Sequence, residues 1–92
     1  MNIVILSRNE NLYSTKRLRE EAENRGHDIE IIDPLKCDII IEKEKPTIYY
    51  NDRYLDYVDA IIPRIGASVT FFGCAVVRQF EMMNVFTIAT SD

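Results

Sequence analysis

The chain has 92 residues, 47% apolar and 28% charged, with a net charge of −4, which is enough for one globular domain and too little for two. A chain of this length buries roughly 60–70% of its unfolded surface, so it can build one modest core but not easily an enclosed catalytic chamber. Eleven basic against fifteen acidic residues argue against a dedicated nucleic-acid binder, which needs a concentrated basic face, and leave room for a local basic patch. Two cysteines, Cys37 and Cys74, lie far apart beside a single histidine, His27, so there is no metal-ligand set of the usual spacing. Both cysteines are expected to be small, buried or half-buried thiols of a cytosolic protein. No apolar run approaches the ~18–20 residues that span a bilayer. Met1-Asn2-Ile3-Val4 enters a strand pattern at once, with no basic leader. The expected compartment is the cytoplasm, with no membrane partner.

Ile3-Val4-Ile5-Leu6 is a continuous apolar run, the pattern of a strand buried on both faces of a parallel sheet. A polar loop, Ser7 to Asn11, follows it, and Asn11 suits a helix N-cap. Leu12, Thr15, Leu18 and Ala22 recur at helical spacing, and Gly26 can end that helix in the left-handed region. Ile29, Ile31 and Ile32 make a second strand, which Asp33-Pro34 breaks. Ile39–Ile41, Thr47–Tyr50 and Tyr54-Leu55 are shorter strand segments around a charged turn at 42–46 and a tight turn at Asn51-Asp52. Residues 38–56 therefore form a small antiparallel hairpin excursion. Val58–Ile62 returns to a buried strand, which Pro63 is expected to stop.

Ser68 or Thr70 can cap a second helix. Its stripe of Val69, Phe72, Val76, Phe80 and Met83 has the spacing of a helix packed on a sheet. Phe71, Phe72 and Phe80 are expected in the core, and Asn84 can close the helix in the left-handed region. Val85–Ala89 gives a last strand. The fold class is α/β: a Rossmann-like open parallel sheet flanked by helices, in one domain over residues 1–92.

The simplest strand order places the second strand on one side of the first and the 58–62 strand on the other. Open α/β sheets bind ligands at such a switch point, outside the carboxyl ends of the two strands. Here those ends are Ser7-Arg8 and Arg64-Ile65-Gly66. The first helix also carries Lys16 and Arg17 near its start, where cations oppose the helix dipole. Two readings stand. Lys16–Glu20, Arg17–Glu21 and Arg19–Glu23 can pair at i,i+4 on a solvated face. Alternatively, Arg8, Lys16 and Arg64 make one electropositive edge that suits a carboxylate, a phosphate or an acidic peptide. The loop after the first strand has no glycine, so neither dinucleotide fingerprint nor P-loop is present. No Ser-His-Asp or Cys-His set is apparent either. The domain carries no catalytic residue that the sequence identifies.

Ile5-Leu6-Ser7-Arg8, Leu12-Tyr13-Ser14 with Lys16-Arg17-Leu18-Arg19-Glu20, Arg25-Gly26-His27, Asp33-Pro34-Leu35, Asp59–Gly66 and Arg78–Met82 resemble the N-terminal part of the RimK family, from residue 1 to about 84. Those are ATP-grasp ligases that add glutamate to the C-terminus of a small-subunit ribosomal protein. The resemblance implies the pre-ATP-grasp domain, with ATP and Mg²⁺ held by an ATP-grasp region outside this chain and no cofactor in this domain. It places Ser7-Arg8 and Pro63–Gly66 at an interdomain cleft, where they help hold an acidic substrate or acceptor. The sequence departs from the family at Ala89-Thr90-Ser91, where Asn-Glu-Ser is usual and Ser91 alone is kept. Asn84 stands where glycine is usual.

The expected function is thus the substrate-side wall of a carboxylate–amine ligase, with Ser7, Arg8, Lys16, Arg64, Gly66 and Ser91 as the anion-binding set. The expected partners are the remaining ATP-grasp domains and an acidic substrate or ribosomal-protein C-terminus. The parent protein would be the enzyme, and the 92-residue chain alone would turn over no ATP. The alternatives are a stand-alone module that binds an anion or acidic peptide, and an association domain. In the last, the Tyr49-Tyr50 strand lies on an exposed edge and pairs with another copy.

Overall fold

Because Ile3–Leu6 has no polar residue, it can be buried on both sides, and it forms the middle of the central strand β1 (Asn2–Ser7). The computed structural model describes residues 1–8, 13–41, 45–64 and 70–88. Within them follow α1 (Tyr13–Asn24), β2 (Asp28–Ile32), a 3-10 turn (Pro34–Lys36), β3 (Asp38–Ile40), β4 (Thr47–Tyr50), β5 (Arg53–Tyr54), β6 (Ala60–Arg64), α2 (Thr70–Met82) and β7 (Phe86–Thr87). One parallel sheet has the order β2-β1-β6-β7, and a separate antiparallel sheet has the order β3-β4-β5. The architecture is α/β. The expected placing of β2 and β6 on either side of β1 holds.

The period of two along each strand splits the core into two layers. Val4, Leu6, Ile32 and Ile61 face α2, where Val76 and Phe80 are fully buried against them, and Ile48, Leu55 and Cys37 complete that layer from the antiparallel sheet and the segment before it. Ile3, Ile5, Ala60 and Ile62 face the other way, where Leu18 of α1 packs on them. Both helices end as their sequences require. Gly26 (φ 85) and Asn84 (φ 65) take the left-handed conformation. The next residues close each turn, His27 N–H donating to Ala22 O at 3.1 Å and Val85 N–H to Phe80 O at 3.1 Å. Asn51 (φ 49) and Asp52 (φ 64) make the tight turn between β4 and β5.

Several expectations need correction. The antiparallel excursion is present as a three-stranded sheet built from the three segments read between 38 and 56, and β4 is its central strand. Tyr49-Tyr50 therefore does not lie on an edge; Tyr49 spends its ring on Tyr54 of β5, edge-on with centroids 5.2 Å apart. Strand β6 begins at Ala60 and runs through Pro63 to Arg64 instead of stopping at the proline. Ile61 O accepts from Ile88 N–H, so Ile61 faces β7, and by alternation the Pro63 nitrogen faces that side too. Among the described residues, the pairing with β7 spans Ala60 and Ile61, so the missing N–H breaks no ladder bond there. The last described strand is Phe86–Thr87, shorter than expected. Phe72 is exposed, because Gly73 takes the inward position in the first turn of α2 and Phe72 falls about 100° round the helix. Cys74 is also exposed, while Cys37 is buried. Phe71, Val69, Leu12 and Asn11 lie outside the residues whose side chains are described.

One polar residue in the core had no periodic signal. Gln79 is buried on α2, and its side-chain amide donates to Ile40 O and Thr47 O, each at 3.0 Å. It ties α2 to the facing ends of β3 and β4. Gln79→Leu keeps the volume but leaves two carbonyls without their donor, so it should cost about 2 kcal/mol. Urea unfolding followed by circular dichroism would measure this, and the slope of the transition should not change.

Candidate functional site

The parallel register of β1 and β6 sets Ile3 beside Ala60, Ile5 beside Ile62 and Ser7 beside Arg64. Residues paired in this way point to the same face of the sheet, so Ser7 and Arg64 both belong to the α1 side. Ser7 is buried, and its Oγ lies 3.4 Å from Oγ1 of Thr15, itself fully buried in the first turn of α1. This hydroxyl pair fixes the start of α1 at the carboxyl end of β1. Arg64 is half-buried, and Arg8 and Lys16 are exposed. Four of the expected residues, Ser7, Arg8, Lys16 and Arg64, thus lie on elements that converge at the carboxyl ends of β1 and β6. Gly66 and Ser91 lie outside the described residues.

On the first helix, Arg19 and Glu23 make the expected i,i+4 pair at 3.7 Å, with both side chains about half exposed. Such a pair contributes only a few tenths of a kcal/mol.

Charge is divided along the sheet. The carboxyl ends carry Arg8 and Arg64, whereas Asp28 and Asp59 sit at the amino ends. Asp59 is engaged there, since Asn2 N–H donates to its Oδ2 at 2.8 Å. His27 also sits at the amino end, as its place just after Gly26 suggests. The chemistry offered at the carboxyl end is a hydroxyl, two guanidiniums and an ammonium. That set donates hydrogen bonds to an anion and repels a cation. It does not fit Mg²⁺, and no three His, Cys, Asp or Glu among the described residues are grouped to hold a metal ion. No described helix is long and apolar enough to cross a membrane.

Thr15 is the member of this end that the sequence reading missed as such. Its helical spacing assigned it to the packed face, and the signal for more was a hydroxyl at a position otherwise taken by apolar residues. A second missed group lies off the site. Glu30 of β2 pairs with Arg53 and accepts from the Tyr57 hydroxyl at 2.7 Å, while the Arg53 guanidinium lies 5.6 Å from the centre of the Tyr57 ring. This cluster fastens the antiparallel sheet to β2.

The chain matches the RimK PreATP-grasp domain over residues 1–92, and it belongs to that family. It is 58% identical over 91 residues to a protein of Pseudoalteromonas atlantica named probable alpha-L-glutamate ligase 2, covering 99% of this chain and 30% of that protein. It is 59% identical, with the same coverage, to a probable alpha-L-glutamate ligase of Aliivibrio salmonicida. A third relative, the probable alpha-L-glutamate ligase 1 of Hahella chejuensis, is 57% identical over the same share. The chain spans about a third of the length of these relatives.

The two cysteines differ in chemistry. Burial pushes the Cys37 thiol up to about 12, with Asp33 and Asp38 adding to the shift. A thiol raised in the folded state supports stability below its ordinary value of 9.0 and loses that support as pH climbs toward about 12. Stability should therefore fall across that alkaline window, and Cys37→Ala should flatten the fall while lowering stability at neutral pH. At pH 7.5 a maleimide should label Cys74 and spare Cys37 until the chain unfolds. Mass spectrometry of the labelled chain checks the second outcome, and urea titrations at several pH values check the first.

Proposed function

We propose that this chain is the pre-ATP-grasp domain of an ATP-dependent carboxylate–amine ligase of the glutamate-adding kind, and that it forms the substrate-side wall of an interdomain cleft. Its sheet is then a Rossmann-like one, used at its switch point. ATP and Mg²⁺ belong to the ATP-grasp region of the parent protein, as does the activation of a carboxyl group as an acyl phosphate for attack by an amine. The part assigned to this chain is electrostatic: Arg64, with Arg8 and Lys16 nearby, receives the carboxylate of glutamate or of an acidic acceptor, such as the C-terminus of a ribosomal protein. The family membership and the names of the relatives support the reaction class. The Ser7–Arg64 register carries the assignment of the wall.

The test is calorimetric titration of the 92-residue chain with glutamate and with an acidic C-terminal peptide. The wild type should bind at least one of them, and Arg64→Ala should weaken that binding roughly 10–100-fold, the range of a charge-assisted contact. Absence of heat with both ligands, or equal affinity in Arg64→Ala, would contradict the assignment. A gene that stops directly after Asp92 would contradict the enzyme reading of the native protein.

A further inference from the structure

Among the described residues, the α1 side of the parallel sheet is only half covered. Helix α1 packs on β1 and β2, and α2 lies on the opposite face. Among the described residues, nothing lies on the α1 side of β7. There Phe86, set beside Ala60 by the register, is 66% exposed. It is a large apolar residue at a point where a single exposed side chain could be incidental. Beside it, however, a groove of about 340 Å³ runs along the same face, floored by Ile3, Ile62 and Ile88 and walled by Leu18 and Ala22 of α1. Glu21 and Arg25 stand at its border, so an apolar floor is framed by charge, as in a protein–protein contact. An apolar groove with an exposed aromatic residue on the same face of the sheet marks a surface that something covers.

The occupant is indicated by length. The chain spans 30% of each relative, so the longer proteins carry a further region, and β7, the last described strand, borders the groove. We infer that the face formed by Phe86, Ile88, Ile62 and the groove beside α1 is the seat of the segment that continues from this domain in the full-length protein. That segment is an amphipathic helix lying over β6 and β7 as α1 lies over β1 and β2. A helix matching the five residues of β6, roughly 17 Å of strand, needs about 11 residues. This inference rests on the proposed membership in a longer ligase, but it concerns an interface centred on Ala60 and Ile62 of β6, toward the amino end from Arg64, not the anion site.

The test is Phe86→Cys in a Cys74→Ser background, labelled with a maleimide as the 92-residue chain and as the protein extended through its natural continuation. Peptide-resolved mass spectrometry reads the rate at position 86. Labelling should be at least tenfold slower in the extended protein, with no dependence on concentration in the short chain. Equal rates in the two proteins would overturn the inference, as would a gene with no continuation. Labelling of the short chain that slows as its concentration rises would assign the face to a second copy instead. A lost Arg64 effect with a protected position 86 would refute the anion site and keep this interface.

Discussion

The pairing of β1 with β6 is the contact on which the rest of the structure depends. It joins segments nearly sixty residues apart, and it is the step that converts two βα units into one sheet with α1 and α2 on opposite faces. Its register is anchored at the amino end by Asp59. Asn2 N–H donates to the Asp59 carboxylate, Asp59 N–H to Asn2 O and Phe86 N–H to Asp59 O, so one residue holds three strands in step. A slip of one residue would turn Ala60, Ile62 and Arg64 to the α2 face and Ile61 to the α1 face, exchanging the residues that fill the two apolar layers. The placing of Arg64 beside Ser7 is therefore a consequence of core packing.

That packing also separates charge. An acidic domain, with a net charge of −4, places Arg8 and Arg64 at the carboxyl ends of β1 and β6 and Asp28 and Asp59 at the other end. A carboxylate approaching the molecule is, on the proposed reading, steered to that edge, although the average field repels it. On the proposed reading, this division explains how a domain without catalytic groups can serve a ligase. It supplies direction and a binding wall, and leaves the energy-coupled chemistry to another region.

Much of this was legible in the sequence because it rests on local patterns. The uninterrupted Ile3–Leu6 run announces a strand buried on both faces, Gly26 and Asn84 end their helices where the periodicity stops, and Asn51-Asp52 turns the chain back. The strand order could be reasoned from these, and with it the meeting of Ser7 and Arg64. What was not legible depends on distant partners. Pro63 reads as a stop, and only the extent of the β7 pairing shows why the strand continues through it. Gln79 reads as a surface glutamine until Ile40 and Thr47 present two carbonyls to it. Phe72 reads as a core residue by spacing and Cys74 as a buried or half-buried thiol by residue type, but Gly73 occupies the inward position between them. Thr15 reads as packing, and its partner hydroxyl on Ser7 is eight residues away. For Gly66 and Ser91, the sequence expectation stands by itself.

The central claim is that the Ser7–Arg64 end of the sheet, and no other surface of this domain, receives an anionic substrate. Residue-resolved amide chemical shifts of the 92-residue chain during a glutamate titration test it most directly. The account predicts that the largest changes fall at Ser7, Arg8 and Arg64, with the His27–Asp28 end unmoved. Changes centred at that opposite end, or none up to tens of millimolar glutamate, would contradict it.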